Sequence, residues 1–220
     1  MRRQLSSLPD KLAERVARHL VMAGRLLHDD PDTAYRHARA ARARAARVAL
    51  VREACGETAY ASGRFSDAIT ELRTARRMNG SADYLPMIAD CERALGHPER
   101  ALRLAKDPAV ELLDQTGRAE MVIVAAGARR DQGQPDAAIA LLEAAPLTSR
   151  VRAPWVARLR YAYADVLLGA GRADEAEEWF HRSAAVDSDG ATDALDRLAE
   201  LNGSVIEDTT EGAVADDSSD

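Results

Sequence analysis

A helix-turn-helix pattern that returns about every 34 residues is the feature that most constrains how this chain can fold. In GETAYASGRFSDAITELRTARRMNG, a helical run ends at Gly63, Phe65 follows the turn, and a second helical run carries Ala68 and Leu72 on one face. Glycine readily adopts the left-handed backbone that ends a helix, and a small side chain lets two helices cross closely. The segment therefore predicts a helical hairpin with Ala68 at the crossing point.

The same pattern recurs on both sides of this segment. GRADEAEEWFHRSAAVD repeats it closely, and weaker copies occur in GHPERALRLA, GQPDAAIALLEAA and DDPDTAYRHARAA. The predicted crossing residues are Ala34, Ala68, Ala101, Ala138 and Ala176. Their spacing predicts five hairpins, at residues 10–48, 49–80, 81–107, 115–147 and 151–187. Residues 190–202 are predicted to form an amphipathic helix that covers the last seam.

These residues resemble the tetratricopeptide repeat (TPR) family, in which a small first-helix residue, a turn glycine, an aromatic residue and an alanine series recur. The second hairpin matches in register, with Gly56, Gly63, Phe65, Ala68, Leu72 and Ala75. The first hairpin departs from the pattern because Asp29 stands where the turn glycine is expected. The resemblance covers roughly residues 11–202. It implies an all-α fold, a right-handed α-solenoid of about five helical hairpins plus a C-terminal capping helix.

The rest of the composition suits narrow interfaces between closely packed helices. Large aromatic side chains are few, with two Phe and two Trp, and the two cysteines, Cys55 and Cys91, are interpreted as small buried apolar residues. Residues 1–9 are predicted to be a flexible N-terminus, 10–202 the repeat domain, and 203–220 an acidic disordered tail. Because no leader or membrane-spanning run is recognisable, we expect a cytoplasmic protein. The preference for Arg over Lys is typical of a GC-rich genome and indicates an actinobacterial-type TPR protein.

The sequence offers no recognisable catalytic or metal-binding arrangement. His19, His28 and His37 are nine residues apart, whereas two metal ligands on one helix face need a spacing of three or four. They are interpreted as surface or turn residues. We therefore expect no cofactor, no metal and no enzymatic activity, although residues brought together from separate hairpins would escape this reasoning.

The TPR resemblance implies where a partner would bind. In that family the first helices of the hairpins line a concave groove, which here gives Glu53, Glu57, Tyr60, Asp90, Arg93, Arg130, Tyr161 and Asp165. This mixed, mildly acidic set favours a partner helix or extended peptide with basic residues. The predicted function is a non-catalytic scaffold or adaptor that binds a partner protein, with no small-molecule substrate and no membrane contact.

An arginine-rich stretch, predicted as one helix over residues 34–52, has no acidic residue. Its basic patch comprises Arg36, Arg39, Arg42, Arg44, Arg47 and Arg52. Three interpretations remain open: a solvated helix, a docking site for the chain's own acidic tail, or a surface that binds nucleic acid or an acidic protein. The last gives the alternative function, an RNA- or ribosome-associated factor. The overall charge of −6 argues against general nucleic-acid binding, and the single interleaved aromatic residue, Tyr35, supports base stacking only weakly. A regulatory helical-repeat module is a further alternative.

Overall fold

The computed structural model describes residues 2–211, and every regular element in that range is helical. The α-helices are α1 Asp10–Leu26, α2 Pro31–Ala45, α3 Ala49–Ala61, α4 Phe65–Asn79, α5 Leu85–Ala94, α6 Pro98–Leu104, α7 Gln115–Asp131, α8 Pro135–Glu143, α9 Pro154–Gly169, α10 Ala173–Ala184 and α11 Ala194–Glu211. Two 3-10 helices, Arg2–Leu5 and Pro108–Leu112, precede α1 and follow α6. The chain forms two compact units, Met1–Val124 and Ala125–Asp220, and the boundary falls within α7. The all-α prediction is confirmed.

Four hairpin turns share one backbone conformation. The turn glycines have φ angles of 71°, 78°, 71° and 78°, at Gly63, Gly96, Gly133 and Gly171. In each turn the N–H after the glycine donates to a carbonyl near the end of the first helix, for example from Arg64 to Ala59 at 2.8 Å. Glycine adopts this left-handed conformation without a Cβ clash, so it ends the first helix and reverses the chain. The first hairpin instead uses Asp30, which accepts from the Thr33 N–H at 3.0 Å and caps α2.

The five predicted crossing alanines are completely buried. Each has 0% of its surface exposed: Ala34, Ala68, Ala101, Ala138 and Ala176. A methyl group at the crossing point lets the paired helices approach closely, and this explains why the sequence repeats alanine there. The prediction of paired helices crossing at these alanines is confirmed.

In the first unit, α1 packs against α2, α3 against α4 and α5 against α6, and α2 and α4 also contact the helix that follows them. The seam around α4 and α5 buries Leu72, Ile88 and Cys91 almost completely. Phe65 packs against this seam after the hairpin turn, with its ring edge to the Tyr60 ring at a centroid distance of 6.0 Å. Each seam is thin, because alanines fill much of the space between the helices.

In the second unit, α9 packs against α8 and α10, and α11 packs against α10 as predicted for a capping helix. Phe180, Leu159 and Leu167 are fully buried in this unit. The buried Ser183 hydroxyl donates to the Ala157 carbonyl at 2.8 Å, so this buried polar group has a hydrogen-bond partner.

The single helix predicted over residues 34–52 is wrong. A turn at residues 46–48 separates α2 from α3, and Val48 adopts an extended conformation with only 8% of its surface exposed. The helix breaks at a buried valine rather than at a glycine or proline, and the repeat spacing, which ends the first predicted hairpin at residue 48, is the sequence signal for this break. As a result, Arg47 lies in the turn and Arg52 lies on α3.

The structure adds detail at both ends of the predicted repeat domain. Within residues 1–9, predicted to be a flexible N-terminus, Leu5 is 3% exposed and packs in a cluster with Val16 and Leu20 of α1. The acidic tail was predicted from residue 203, whereas α11 continues to Glu211. The remainder of that predicted tail, 212–220, lies outside the described residues.

The two cysteines behave as buried apolar side chains. Cys55 and Cys91 are both free and have no exposed surface. Burial is the main reason that the pKa of each thiol is raised to about 12. Neither thiol is therefore a reactive thiolate near neutral pH, and the prediction that both are buried is confirmed.

Candidate functional site

The first helices of the second and third hairpins share one face, which we call the α3–α5 face and define by Glu53, Glu57, Tyr60, Asp90 and Arg93. The Tyr60 hydroxyl on α3 donates to the Asp90 carboxylate on α5 at 2.6 Å, and Arg93 donates to the same carboxylate at 2.9 Å. All five residues are partly buried. The structure thus places five of the eight predicted partner-binding residues together.

Glu53 is held on this face by a second link. The Tyr84 hydroxyl, just before α5, donates to the Glu53 carboxylate at 2.9 Å and accepts from the Asn79 amide at 2.8 Å. One tyrosine–carboxylate hydrogen bond thus has its donor on α3 and its acceptor on α5, and the other has its donor just before α5 and its acceptor on α3. Together the two bonds hold α3 and α5 against each other.

The other three predicted partner-binding residues lie in the second unit. Arg130 at the end of α7 forms an ion pair with Asp165 on α9, and Arg197 on α11 lies 3.6 Å from the other oxygen of that carboxylate. The pKa of Tyr161 is raised, first by burial and then by its hydrogen bond to Asp193. The charges of Arg130 and Asp165 are thus already matched within the protein.

The links in the two units occupy the same positions in the repeat. Tyr60 and Arg130 each stand three residues before a turn glycine, and their acceptors, Asp90 and Asp165, each stand six residues before the next one. A donor near the end of one first helix thus bonds to an acid on the following first helix. Sequence reasoning missed this rule because the donor is a tyrosine in one case and an arginine in the other.

Glu57 is the acid at this position in the second hairpin, six residues before Gly63. The end of α1, where its donor would stand, carries Leu26 and Leu27. None of the described residues forms an ion pair or a hydrogen bond with the Glu57 carboxylate. Burial, and then the negative charge of Glu53, raise the pKa of Glu57 to about 7.

This raised pKa predicts a pH-dependent effect of Glu57→Gln on stability. The folded-state pKa lies above the ordinary value of 4.5, so the stabilisation from protonated Glu57 is complete below about pH 4.5 and is lost as pH rises through 7. Each pKa unit corresponds to about 1.4 kcal/mol, and partial contact with solvent reduces the total to about 1–2 kcal/mol. Urea unfolding should show the variant more stable than the wild type by that amount near pH 8, and equal to it near pH 4.5.

Glu99→Gln is the matched control, because Glu99 is an exposed carboxylate on α6 of the same unit. Its stability relative to the wild type should stay the same at both pH values. If the difference in stability between Glu57→Gln and the wild type were the same at both pH values, the folded protein would not disfavour the ionised form of Glu57.

The six arginines of the predicted basic patch point in several directions. Arg42 and Arg52 pair with the buried Glu71, while Arg39 lies 5.8 Å from the ring centre of Tyr35. Arg44 donates to the Ala40 carbonyl at 2.7 Å. The two that remain, Arg36 and Arg47, are exposed. The arrangement differs from the continuous basic stripe that the phosphate backbone of a nucleic acid would need.

Two buried carboxylates are the features that sequence reasoning overlooked. Glu71 is 3% exposed and contacts two arginines, and Glu92 is 2% exposed and pairs with Arg73 at 2.8 Å and Arg100 at 3.4 Å. Each carboxylate joins helices of neighbouring hairpins. In both cases one arginine partner stands nineteen residues earlier, Arg52 for Glu71 within one hairpin and Arg73 for Glu92 between two hairpins.

The described residues contain no group of three or more histidine, cysteine or acidic side chains placed to hold a metal ion. In the same part of the chain, no helix combines the length and the apolar character needed to span a membrane. The fold defines a class of helical-hairpin repeat proteins, and in this chain α3 and α5 share a polar face.

Comparisons with known proteins show a similarity in sequence over part of the chain and a similarity in fold. A tetratricopeptide repeat model matches residues 129–199, from the end of α7 into α11. The fold is similar to the crystal structure of a thermophilic TPR protein from Thermus thermophilus, with a TM-score of 0.67 over 84% of this chain and 98% of that chain, at 20% identity. No curated protein sequence matches this one. Residues 129–199 thus match the tetratricopeptide repeat family, and the fold of the chain is similar to that of a TPR protein.

Proposed function

We propose that this TPR protein is a non-catalytic cytoplasmic adaptor that binds a basic helix or extended peptide of a partner protein on the α3–α5 face. TPR repeats are in general protein–protein interaction modules. The observation that carries the proposal is Glu57, an acid whose counterparts Asp90 and Asp165 have a donor from the preceding hairpin, whereas Glu57 has none among the described residues. A lysine or arginine of a partner would supply the missing donor.

A pocket beside Glu53 gives such a partner room for a side chain. Its volume is about 290 Å³, and its lining includes Leu50, Arg47 and Asn79. Apolar and polar groups thus lie next to the Glu53 carboxylate, one helix turn from Glu57. This combination fits a peptide that places a basic residue on Glu57 and a neighbouring side chain in the pocket.

Peptide selection provides the test. Random peptides selected on the immobilised protein should be enriched in Lys and Arg. The double variant Glu53→Gln, Glu57→Gln should bind the selected peptides at least about tenfold more weakly, measured by fluorescence anisotropy. The control Glu99→Gln, Glu111→Gln removes two exposed carboxylates of the same unit and should change the affinity little. Selected peptides without basic residues, or equal losses in both double variants, would contradict the proposal.

The pH dependence of peptide binding tests whether the peptide contacts Glu57. Because Glu57 has a pKa of about 7, a basic peptide binds best when this carboxylate is ionised, so affinity should rise between about pH 6 and about pH 8. In Glu57→Gln the rise should disappear. A rise that persists in the variant would place the peptide away from Glu57.

A further inference from the structure

The first hairpin contains a pocket of about 420 Å³ that takes no part in the proposed adaptor function. Its lining comes from α1 and α2 and consists of Arg15, Arg18, His19, Met22, His37 and Arg44. The four α1 residues follow a spacing of three, four and seven, so they lie along one face of that helix, and the two α2 residues are seven apart on the facing side. The volume lies within the range of small-molecule sites.

The charges in this pocket are mostly positive. None of the six lining residues is acidic. Glu14, outside the lining, forms an ion pair with Arg18, and one Arg44 nitrogen donates to the Ala40 carbonyl. No described carboxylate forms an ion pair with Arg15 or Arg44. Three guanidinium groups around one cavity repel one another, and a bound anion would remove that repulsion.

Two histidines meet in the middle of the lining. The Nδ1 atoms of His19 and His37 are 3.0 Å apart, and the ring centroids are 5.3 Å apart. One ring must therefore donate a hydrogen to the other. Burial, followed by the positive charges of His37, Arg44 and Arg15, lowers the pKa of His19. The rings thus lie in a positive field that an anion would neutralise, and their Nε2 atoms add hydrogen-bonding capacity.

We propose that this pocket binds the phosphoryl group of a small organic phosphate. Guanidinium groups bind phosphate oxygens with paired hydrogen bonds, and imidazole supplies a further donor. The cavity is larger than a phosphate group needs, and Met22 offers an apolar contact for the organic part of the ligand. A metal ion fits less well, because three arginines repel a cation and the histidines supply only two ligands.

The site could not be read from the sequence, which led us to expect no small-molecule ligand. His19 and His37 are eighteen residues apart and come together only because α1 and α2 are antiparallel. The arginines of α1 stand apart from the arginine-rich stretch of α2, so nothing in the local pattern joins them.

Titration with phenyl phosphate at constant ionic strength tests the proposal. Isothermal calorimetry should give a Kd of about 1 mM or tighter, and the imidazole NMR signals of His19 and His37 should shift with the same affinity. Inorganic phosphate, which lacks the organic part, should bind more weakly. The double variant Arg15→Gln, Arg44→Gln should weaken phenyl phosphate binding at least about tenfold.

The control variant Arg77→Gln, Arg103→Gln removes two exposed arginines from α4 and α6 of the same unit and should bind like the wild type. Far-UV circular dichroism checks that both double variants fold, and His37→Gln provides a milder second test if the first does not. Three results would overturn the proposal: no imidazole shift at about 10 mM phenyl phosphate, equal losses in the two double variants, or tighter binding of a single-stranded RNA oligonucleotide at the same histidines.

Discussion

Replacing Glu71 by glutamine should lower the free energy of unfolding by about 3 kcal/mol. The Glu71 side chain on α4 is 4% exposed and lies 3.1 Å from Arg42 of α2 and 2.7 Å from Arg52 of α3. Glutamine keeps the shape and one acceptor but removes the negative charge, so two partly buried guanidinium groups then face each other without a counterion. The urea midpoint, compared at equal denaturant dependence, measures the loss.

Glu175→Gln is the control for this experiment. Glu175 forms two hydrogen bonds of 2.7 Å with Arg172, but its side chain is 52% exposed, so water solvates both charges. Its loss should change the free energy of unfolding little. Added salt should change the effect of Glu71→Gln little, because burial shields that cluster from ions. Equal costs for the two substitutions would show that the Glu71 cluster contributes no more than a surface pair.

Replacing Gly56 by alanine should destabilise the protein by about 2 kcal/mol, although alanine is the better helix former. Gly56 lies within α3, and a Cβ built on it would lie 2.5 Å from the Cγ and Cδ2 atoms of Leu72 on α4. Leu72 is fully buried and cannot move away without displacing its neighbours. Urea unfolding of the variant measures the resulting strain.

Two further variants separate this clash from helix propensity. Gly24 lies within α1, and nothing lies within 4 Å of a Cβ built there, so Gly24→Ala should stabilise the protein by about 0.5–1 kcal/mol. In Leu72→Ala the clashing atoms are absent, so adding Gly56→Ala should cost much less than it does in the wild type. A Gly56→Ala protein as stable as Gly24→Ala would contradict the close packing of α3 on α4.

The hairpins could be predicted because their signals are local. A left-handed turn glycine marks four of the hairpins and a buried alanine marks all five, and both signals can be read within a few residues. The break between α2 and α3 has no glycine or proline, so only the repeat spacing indicates it. The contacts of Leu5 with α1 could not be read from the sequence, because they join separate segments of the chain.

The candidate site could be predicted only in part. Helix spacing correctly grouped Glu53, Glu57 and Tyr60 on α3, and the family resemblance pointed to α5 as their neighbour. Contacts between hairpins decide which of these charges already have a partner within the protein. Such contacts cannot be read from the sequence of a single helix. The same limit explains why the sequence did not point to Glu71 and Glu92, because their arginine partners come from other helices.

In two places a donor at the end of one hairpin's first helix bonds to an acid on the first helix of the next hairpin, and both contacts run in the same direction along the chain. Tyr60 reaches forward to Asp90, and Arg130 reaches forward to Asp165, so each donor belongs to the earlier hairpin. Hairpins shuffled into another order would leave donors and acids mismatched. A duplicate of residues 49–80 inserted after residue 80 would instead bring Tyr60 of the first copy to Glu57 of the second. The second hairpin is thus a building block that can be joined head to tail with itself.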